Sequence, residues 1–317
     1  MVLLLVTGVV AGLVCVWLAG DQVVAHALRL AKHYNVSTFF VGFVFLALAA
    51  NIPELAVAIV AGMQDVGQLA AGDIVGACFT DIALVTGLML SLAGSIVMTQ
   101  HEAIGFLRLI GGAAAVMMIV FCVGTLTFWH GIVLIGLYLI FLVWAWRSRH
   151  EHTMLEISHD DFEHPRPLLG WRLWKVWVKA AAALVGVLAG SGLAVHCGVA
   201  LAAMYGLALE AVGATVIAVG TSLPEVSMGF HAYRRGQYSL ALGPTIGTVF
   251  SQSTFILGIL AVLSRQSIDL GALQGAAAFM FVAFAIIAVS ILFKRMGRST
   301  GIALLSLFVV YILYHVM

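Results

Sequence analysis

Long apolar runs alternate with short polar breaks from one end of the chain to the other. Ten of these runs can each cross a hydrocarbon core about 30 Å thick. They cover roughly 2 to 20, 36 to 61, 67 to 92, 103 to 123, 128 to 146, 172 to 204, 209 to 232, 238 to 263, 272 to 293 and 300 to 316, with ends good to about three residues. The first is expected to continue toward Ala31 as a tilted helix. Its opening, MVLLLVTGVV, has neither a basic flank nor a cleavage pattern, so it reads as a span rather than a removable leader.

Composition agrees with this pattern. Of 317 residues, 63% are hydrophobic and 9% charged, and the mean hydropathy is +1.12, which excludes a water-soluble globule. The formal charge of +1 says nothing about nucleic acid, and no basic stretch interleaved with aromatics points to such a partner. Lys and Arg favour cytoplasmic loops. With the N-terminus outside, every one of the 15 basic residues except Arg265 falls at an inner loop or helix end, so both termini are expected outside. Trp144, Trp146, Trp171 and Trp174 would then form part of an inner aromatic belt. Cys15, Cys78, Cys122 and Cys197 are widely separated and form no CxxC pair, which suggests small apolar fillers rather than disulfides or a zinc site.

The chain repeats itself. GFVFLALAANIPELAVAIVAG from Gly42 aligns with GATVIAVGTSLPEVSMGFHAY from Gly213 at an offset of 171, and the alignment runs on without a gap. Ala47 meets Ala218, Pro53 meets Pro224, Glu54 meets Glu225, Gly72 meets Gly243, Gly76 meets Gly247 and Gly87 meets Gly258. Chance likeness between two greasy segments does not produce a shared Pro-Glu pair and aligned glycines. Five spans separate corresponding elements, and an odd number reverses the second copy's direction. The prediction is therefore two inverted five-span repeats, an architecture in which ions are held near the midplane at broken helices.

Pro53 and Pro224 donate no N–H and should break their spans, exposing carbonyls near residues 49 and 220. Glu54 and Glu225 follow directly. A carboxylate inside a bilayer generally faces a cavity on an ion or proton path, so the two glutamates are expected to face each other as ligands.

These stretches resemble the calcium/cation antiporter superfamily, which includes sodium/calcium exchangers. GTSLPEV from Gly220 matches its second-repeat signature, and GDIVGACFTD and GPTIGTVFSQ resemble the helix that follows each signature. The resemblance implies an all-α membrane protein of ten spans, with a first repeat over 1–146, a cytoplasmic loop over 147–171 and a second repeat over 172–317. It implies central cation ligands at Glu54 and Glu225, and oxygen ligands at Ala50, Asn51, Thr221, Ser222 and Thr248, with Ala47 at the edge of the set. Asp81 and Gln252 take the place of a second carboxylate or amide pair. Such hard oxygens suit Ca²⁺ and accept Mn²⁺. The long spans one and six would slide across the ion site. No further cofactor or obligate protein partner is implied; the partners are inorganic cations and the lipid bilayer, in a plasma (inner) membrane.

The first signature departs from the family. Ala49, Ala50 and Asn51 replace the usual Gly-Thr-Ser, and Asn51 resembles the Gly-Asn-x-x-Glu form of proton-coupled relatives. Ala77 and Cys78 stand where serine and asparagine are usual, and Gln252 where sodium-coupled members carry a carboxylate. Divalent binding is preserved, while Na⁺ coupling is placed in question and H⁺ becomes the rival. Asp73, where asparagine is usual, is expected at a helix entry or gate, and Cys78 could favour a softer ion. The inner loop gathers His150, His152, His159, Asp160, Asp161, Glu163 and His164, which reads as a solvated charged loop. The readings of another kind are an ion-sensing membrane protein without transport and an intramembrane metalloprotease; the latter needs an H-E-x-x-H that the sequence lacks.

Overall fold

A computed structural model describes residues 2–33, 51–93, 100–147, 170–206, 208–222, 225–226, 245, 247–293 and 296–316. Nearly all are helical, since within lipid a helix satisfies its backbone polar groups inside one segment. In chain order the elements are α1 (Val2–His33), α2 (Ile52–Met63), α3 (Gly67–Thr80), a π-helical stretch (Asp81–Thr86), α4 (Gly87–Ala93), α5 (Gln100–Val123), β1 (Thr125–Leu126), α6 (Phe128–Arg147) and α7 (Gly170–Tyr205). They continue with α8 (Leu209–Val212), a second π-helical stretch (Gly213–Ile217), α9 (Ala218–Thr221), a third (Gln252–Ile256), α10 (Leu257–Leu263), β2 (Ile268–Asp269), α11 (Gln274–Leu292) and α12 (Arg298–Val316).

Five apolar stretches are long enough to cross a membrane: Val2–Ala19, Gly67–Leu92, Leu173–Tyr205, Gly271–Leu292 and Arg298–His315. Five shorter apolar helices, Ile52–Met63, Ile110–Val123, Phe128–Val143, Leu209–Thr221 and Gly247–Leu263, lie within or close to the remaining expected runs. At 32 and 36 residues, α1 and α7 would extend about 48 and 54 Å, well beyond a bilayer core, so they tilt or emerge from it. Their contacts run in opposite senses: Gly12 meets Gly190, and the Cys15 thiol donates to the Gly186 carbonyl at 3.4 Å. The pair is therefore antiparallel.

The centre is α3. From Gly67 to Ala83 every residue except Gln68 is buried. Two lipid-embedded helices gain no hydrophobic energy from meeting, so close approach depends on small residues and van der Waals fit. Here it is extreme: a Cβ added to Gly72, Gly76 or Gly213 would strike the carbonyl of Glu210, Ala214 or Leu69 respectively. The same device recurs where α4 meets α12, Gly87 against Gly301, and where α10 meets α6, Gly258 against Gly131. Gly87 and Gly258 are themselves 171 apart. Beside this seam Phe79 packs on Phe279, Phe308 and Tyr311, and the Tyr311 hydroxyl donates to the Ala214 carbonyl at 2.5 Å.

At the end expected to face outside, β1 and β2 pair antiparallel, Thr125 with Asp269 and Leu126 with Ile268. This ladder was not legible in the sequence, because two residues per strand make no alternating pattern. Gly124, at φ +78, lets its carbonyl accept the Leu270 N–H at 2.9 Å. Arg265, the one basic residue expected outside, lies 3.9 Å from Asp65 at the same end, an exposed pair that contributes little.

The loop 147–171, expected inside, with its histidines and acidic residues from His150 to His164, falls outside the described residues apart from its two ends, as do Pro224, Ala47 and Ala50.

The seam makes a direct prediction. Gly76→Ala should lower the melting temperature of the detergent-solubilised protein by about 5 °C, from overpacking of about 1–3 kcal/mol. Gly111→Ala, whose added Cβ meets nothing within 4 Å, should hold or raise it; equal behaviour of the two variants in a thermal melt would refute the close approach.

Candidate functional site

The two signatures adopt the same local geometry. Asn51 precedes α2 with φ −80 and ψ 6, and Ser222 follows α9 with φ −79 and ψ 2. Each carbonyl accepts from the residue four along, Leu55 at 2.9 Å and Val226 at 3.2 Å. Pro53 sits in the first turn of α2, where a missing N–H costs nothing. Glu54 lies in the first turn of α2 and Glu225 is helical, and both are buried, at 0% and 3% exposure.

The second pair of elements adds Asp73 and Asp81 from α3 and its π-helical continuation, and Gln252 from the third π-helical stretch. Asp73, Asp81 and Gln252 are also fully buried. An i+5 turn shifts a side chain out of the regular helical register, and such turns recur at functional sites; here the side-chain hydroxyl of Thr86 also donates to the Asp81 carbonyl five residues back, at 3.1 Å. Asp81 and Gln252, related by 171 positions, meet: the Gln252 amide donates to Asp81 Oδ2 at 3.0 Å. Glu54 lies within electrostatic reach of Glu225, Asp73 and Asp81, and Glu225 and Asp73 each within reach of Asp81.

These carboxylates are not internally compensated. Among the described residues neither Glu54 oxygen, neither Glu225 oxygen, nor Asp73 Oδ2 or Asp81 Oδ1 has a hydrogen-bond partner, and no Lys or Arg is buried. An ionised carboxylate costs several kcal/mol in such surroundings. The arrangement therefore requires positive charge from outside, as a cation or as protons.

The flanking polar groups hold the elements together. The Thr221 hydroxyl lies 3.0 Å from Asp73 Oδ1 and 3.2 Å from the Ala218 carbonyl, and its single proton serves one at a time. Asp73, expected at a helix entry or gate, is thereby tied to the second signature. Asn51 donates to the Thr248 carbonyl at 3.4 Å and to the Ser251 hydroxyl. Ser222 lies close enough to act on the Asp81 carboxyl but short of hydrogen-bond geometry. Cys78, also buried, points its thiol toward the Val249 carbonyl at 3.9 Å, again 171 positions away, within the field of Asp81, Glu54 and Asp73. Thr80 and Ser251 were missed by sequence reasoning. They form an aligned hydroxyl pair directly before Asp81 and Gln252, and that alignment was the signal available.

Residues 4–147 and 175–317 match the family model described as sodium/calcium exchanger protein. The chain belongs to the sodium/calcium exchanger family. Among its relatives, the candidate antiporter CaxA of Alkalimonas amylolytica is 27% identical over 316 residues, covering 96% of each chain. Sodium/calcium exchanger MaX1 of Methanosarcina acetivorans is 24% identical over 294 residues, covering 78% of this chain and 80% of that one. A solved structure of the sodium-calcium exchanger NCX_Mj, soaked with 10 mM Na⁺ and zero Ca²⁺, matches with a TM-score of 0.65 at 24% identity, over 98% of this chain and 99% of the other. That likeness is one of fold. As a member of the exchanger family the chain is a multi-pass membrane transporter, in keeping with its apolar helices.

Asp73→Asn and Thr221→Val should be non-additive: a double-mutant cycle read by thermal unfolding is expected to show about 1 kcal/mol of coupling. Strict additivity would mean that the two side chains do not interact in the protein.

Proposed function

We propose that the chain is a secondary antiporter that moves a divalent cation, Ca²⁺ first, across the membrane in exchange for Na⁺ or H⁺. The observation that carries this reading is the set of six carboxylate oxygens on Glu54, Asp73, Asp81 and Glu225 that have no partner among the described residues, buried within electrostatic reach of one another with no described Lys or Arg buried beside them. Glu54, Glu225 and Asp81 would be the charged ligands, with Asn51, Thr221, Ser222, Thr248 and Gln252 supplying neutral oxygens. Ala50 and Ala47 would add backbone carbonyls. Ca²⁺ takes 6–8 oxygens, and carboxylates beside carbonyls and amides are the usual source.

Exchange follows from the same electrostatics. Once the divalent ion leaves, several negative charges remain in a low-dielectric place, and a conformational change that carries them across unaccompanied is costly. Return is favoured only after other cations load. The family match and the antiporter and exchanger relatives support exchange as the activity, and they point to transport rather than catalysis.

The architecture we propose is ten spans in two inverted five-helix repeats, over 1–146 and 172–317, with the loop 147–171 cytoplasmic and both termini outside. Support comes from the equal backbone angles at Asn51 and Ser222, from the antiparallel α1 and α7, and from bonds that join residues to their own counterparts 171 positions on, Cys15 to Gly186 and Asp81 to Gln252. Residues near a two-fold axis meet their counterparts in this way. Spans one and six, carried by α1 and α7, would slide past the ion site to open it to each side in turn. Mn²⁺ with H⁺ is the second reading, favoured by the Cys78 thiol among the carboxylates.

⁴⁵Ca²⁺ uptake into proteoliposomes loaded with Na⁺, or set acid inside, tests the proposal. Uptake driven by one gradient and reduced by about 100-fold or more in Glu54→Gln and Glu225→Gln is expected, since each variant removes a central charged ligand and even outer-shell changes at metal sites cost about 10–100-fold. No flux of Ca²⁺ or Mn²⁺ under either gradient would favour an ion-sensing protein. Gln252→Asp combined with Ala77→Ser should strengthen any Na⁺ dependence; unchanged dependence would remove those two positions from the coupling machinery.

A further inference from the structure

Asn51 raises a question that the ligand reading leaves open. Its side chain does not simply face the carboxylates. Nδ2 donates to the Thr248 carbonyl at 3.4 Å and to the Ser251 hydroxyl, both on the helix that leads into the third π-helical stretch, while Oδ1 is buried with no partner among the described residues. A backbone carbonyl only accepts, so the atom facing Thr248 has to be the amide nitrogen; the chemistry of the partner sets the flip. The nitrogen is anchored in the second half of the chain, and the oxygen is left over.

A carbonyl oxygen beside a hydroxyl oxygen in a buried, electronegative place is a corner that a small alkali cation can occupy, because hard cations are held by such oxygens. In this protein both oxygens already face N–H donors. A Na⁺ entering the corner would have to displace the amide, leaving a buried NH₂ group unpaired, which is costly.

The counterpart corner, 171 positions away, is built differently. Thr80 stands for Ser251, Ala77 for Thr248, and Ser222 for Asn51. Ser222 carries no NH₂ group, and the hydroxyls of Ser222 and Thr80 are both buried without partners among the described residues. The two halves of the site are thus unequal: one corner is filled by an amide and its counterpart is not.

We infer that the Asn51 carboxamide is a built-in substitute for a monovalent cation, filling the Thr248–Ser251 corner with its NH₂ group and closing that side of the site to Na⁺. Asn51 is then a specificity-determining residue for the coupling ion. The inference deepens the proposed function and rests on the ion site described there. It differs from the role of a simple ligand, for which the amide nitrogen would be incidental.

The test compares wild type with Asn51→Ser, using Asn51→Thr in its place should the serine variant not fold, since each removes the carboxamide and keeps a hydroxyl. The first readout is the melting temperature of the purified protein in NaCl against choline chloride at equal ionic strength. A Na⁺-specific rise larger by about 3–5 °C in the variant is expected, because a ligand that binds only the folded state raises its stability. The second is equilibrium ⁴⁵Ca²⁺ binding in the same salts, where Na⁺ should weaken Ca²⁺ binding about fivefold more in the variant than in wild type. A variant with wild-type responses to Na⁺ in both readouts would overturn the inference. A wild type that binds neither Ca²⁺ nor Mn²⁺ would instead sink the proposed function, and the melting comparison would still decide the role of Asn51.

Discussion

Four buried carboxylates that no Lys or Arg among the described residues compensates set the terms for the rest of this molecule. Glu54, Asp73, Asp81 and Glu225 are all buried, and most of their oxygens find no donor among the described residues. A soluble protein would relieve such a cluster with arginine or lysine, or move it to the surface. Here relief has to arrive as a mobile cation, and the requirement that it arrive is what makes the cluster useful to a transporter.

Holding that cluster in lipid demands unusual backbone. The signature segments break at Asn51 and Ser222, and the helices carrying Asp81 and Gln252 loosen into π-helical turns; the carboxylates of these elements come within electrostatic reach of one another, although among the described residues no three of them are grouped closely enough to grip a metal ion as they stand. Irregular backbone at this depth is tolerated only where it is buried in protein or lines a cavity. Gly72, Gly76 and Gly213 supply the burial by letting α3 touch α8 and the second π-helical stretch backbone to backbone. Tyr311 adds a donor to the Ala214 carbonyl in that loosened turn. The glycine seam and the polar site are therefore one construction: the first excludes lipid so that the second can exist.

The two halves are alike in backbone and unlike in chemistry. Equal angles at Asn51 and Ser222 mark the common scaffold, yet one position carries a carboxamide bonded across the molecule and the other a hydroxyl. Asp81 likewise faces Gln252, a charge opposite an amide. In the proposed architecture, duplication would supply two copies of each ligand position, and substitution within a pair would change ion choice while the framework persists.

Much of this was present in the order of residues. Hydropathy alone dictates helices, because an apolar run in a bilayer has no other way to satisfy its amides. The offset of 171 was visible as aligned Pro-Glu pairs and glycines, and it singled out Glu54 and Glu225, while Asp81 and Gln252 came from the resemblance to the antiporter superfamily. Local pattern could not reveal which side chains touch. That Gln252 reaches Asp81, that Thr221 meets Asp73, that Asn51 turns its nitrogen rather than its oxygen to Thr248, and that two-residue strands pair Thr125 with Asp269 and Leu126 with Ile268 all depend on long-range packing. A one-dimensional sequence encodes each helix's own hydrogen bonds and its apolar faces, but the partner of a buried polar atom is chosen by whichever helix the close glycine contacts bring alongside, and that choice exists only once the chain has folded.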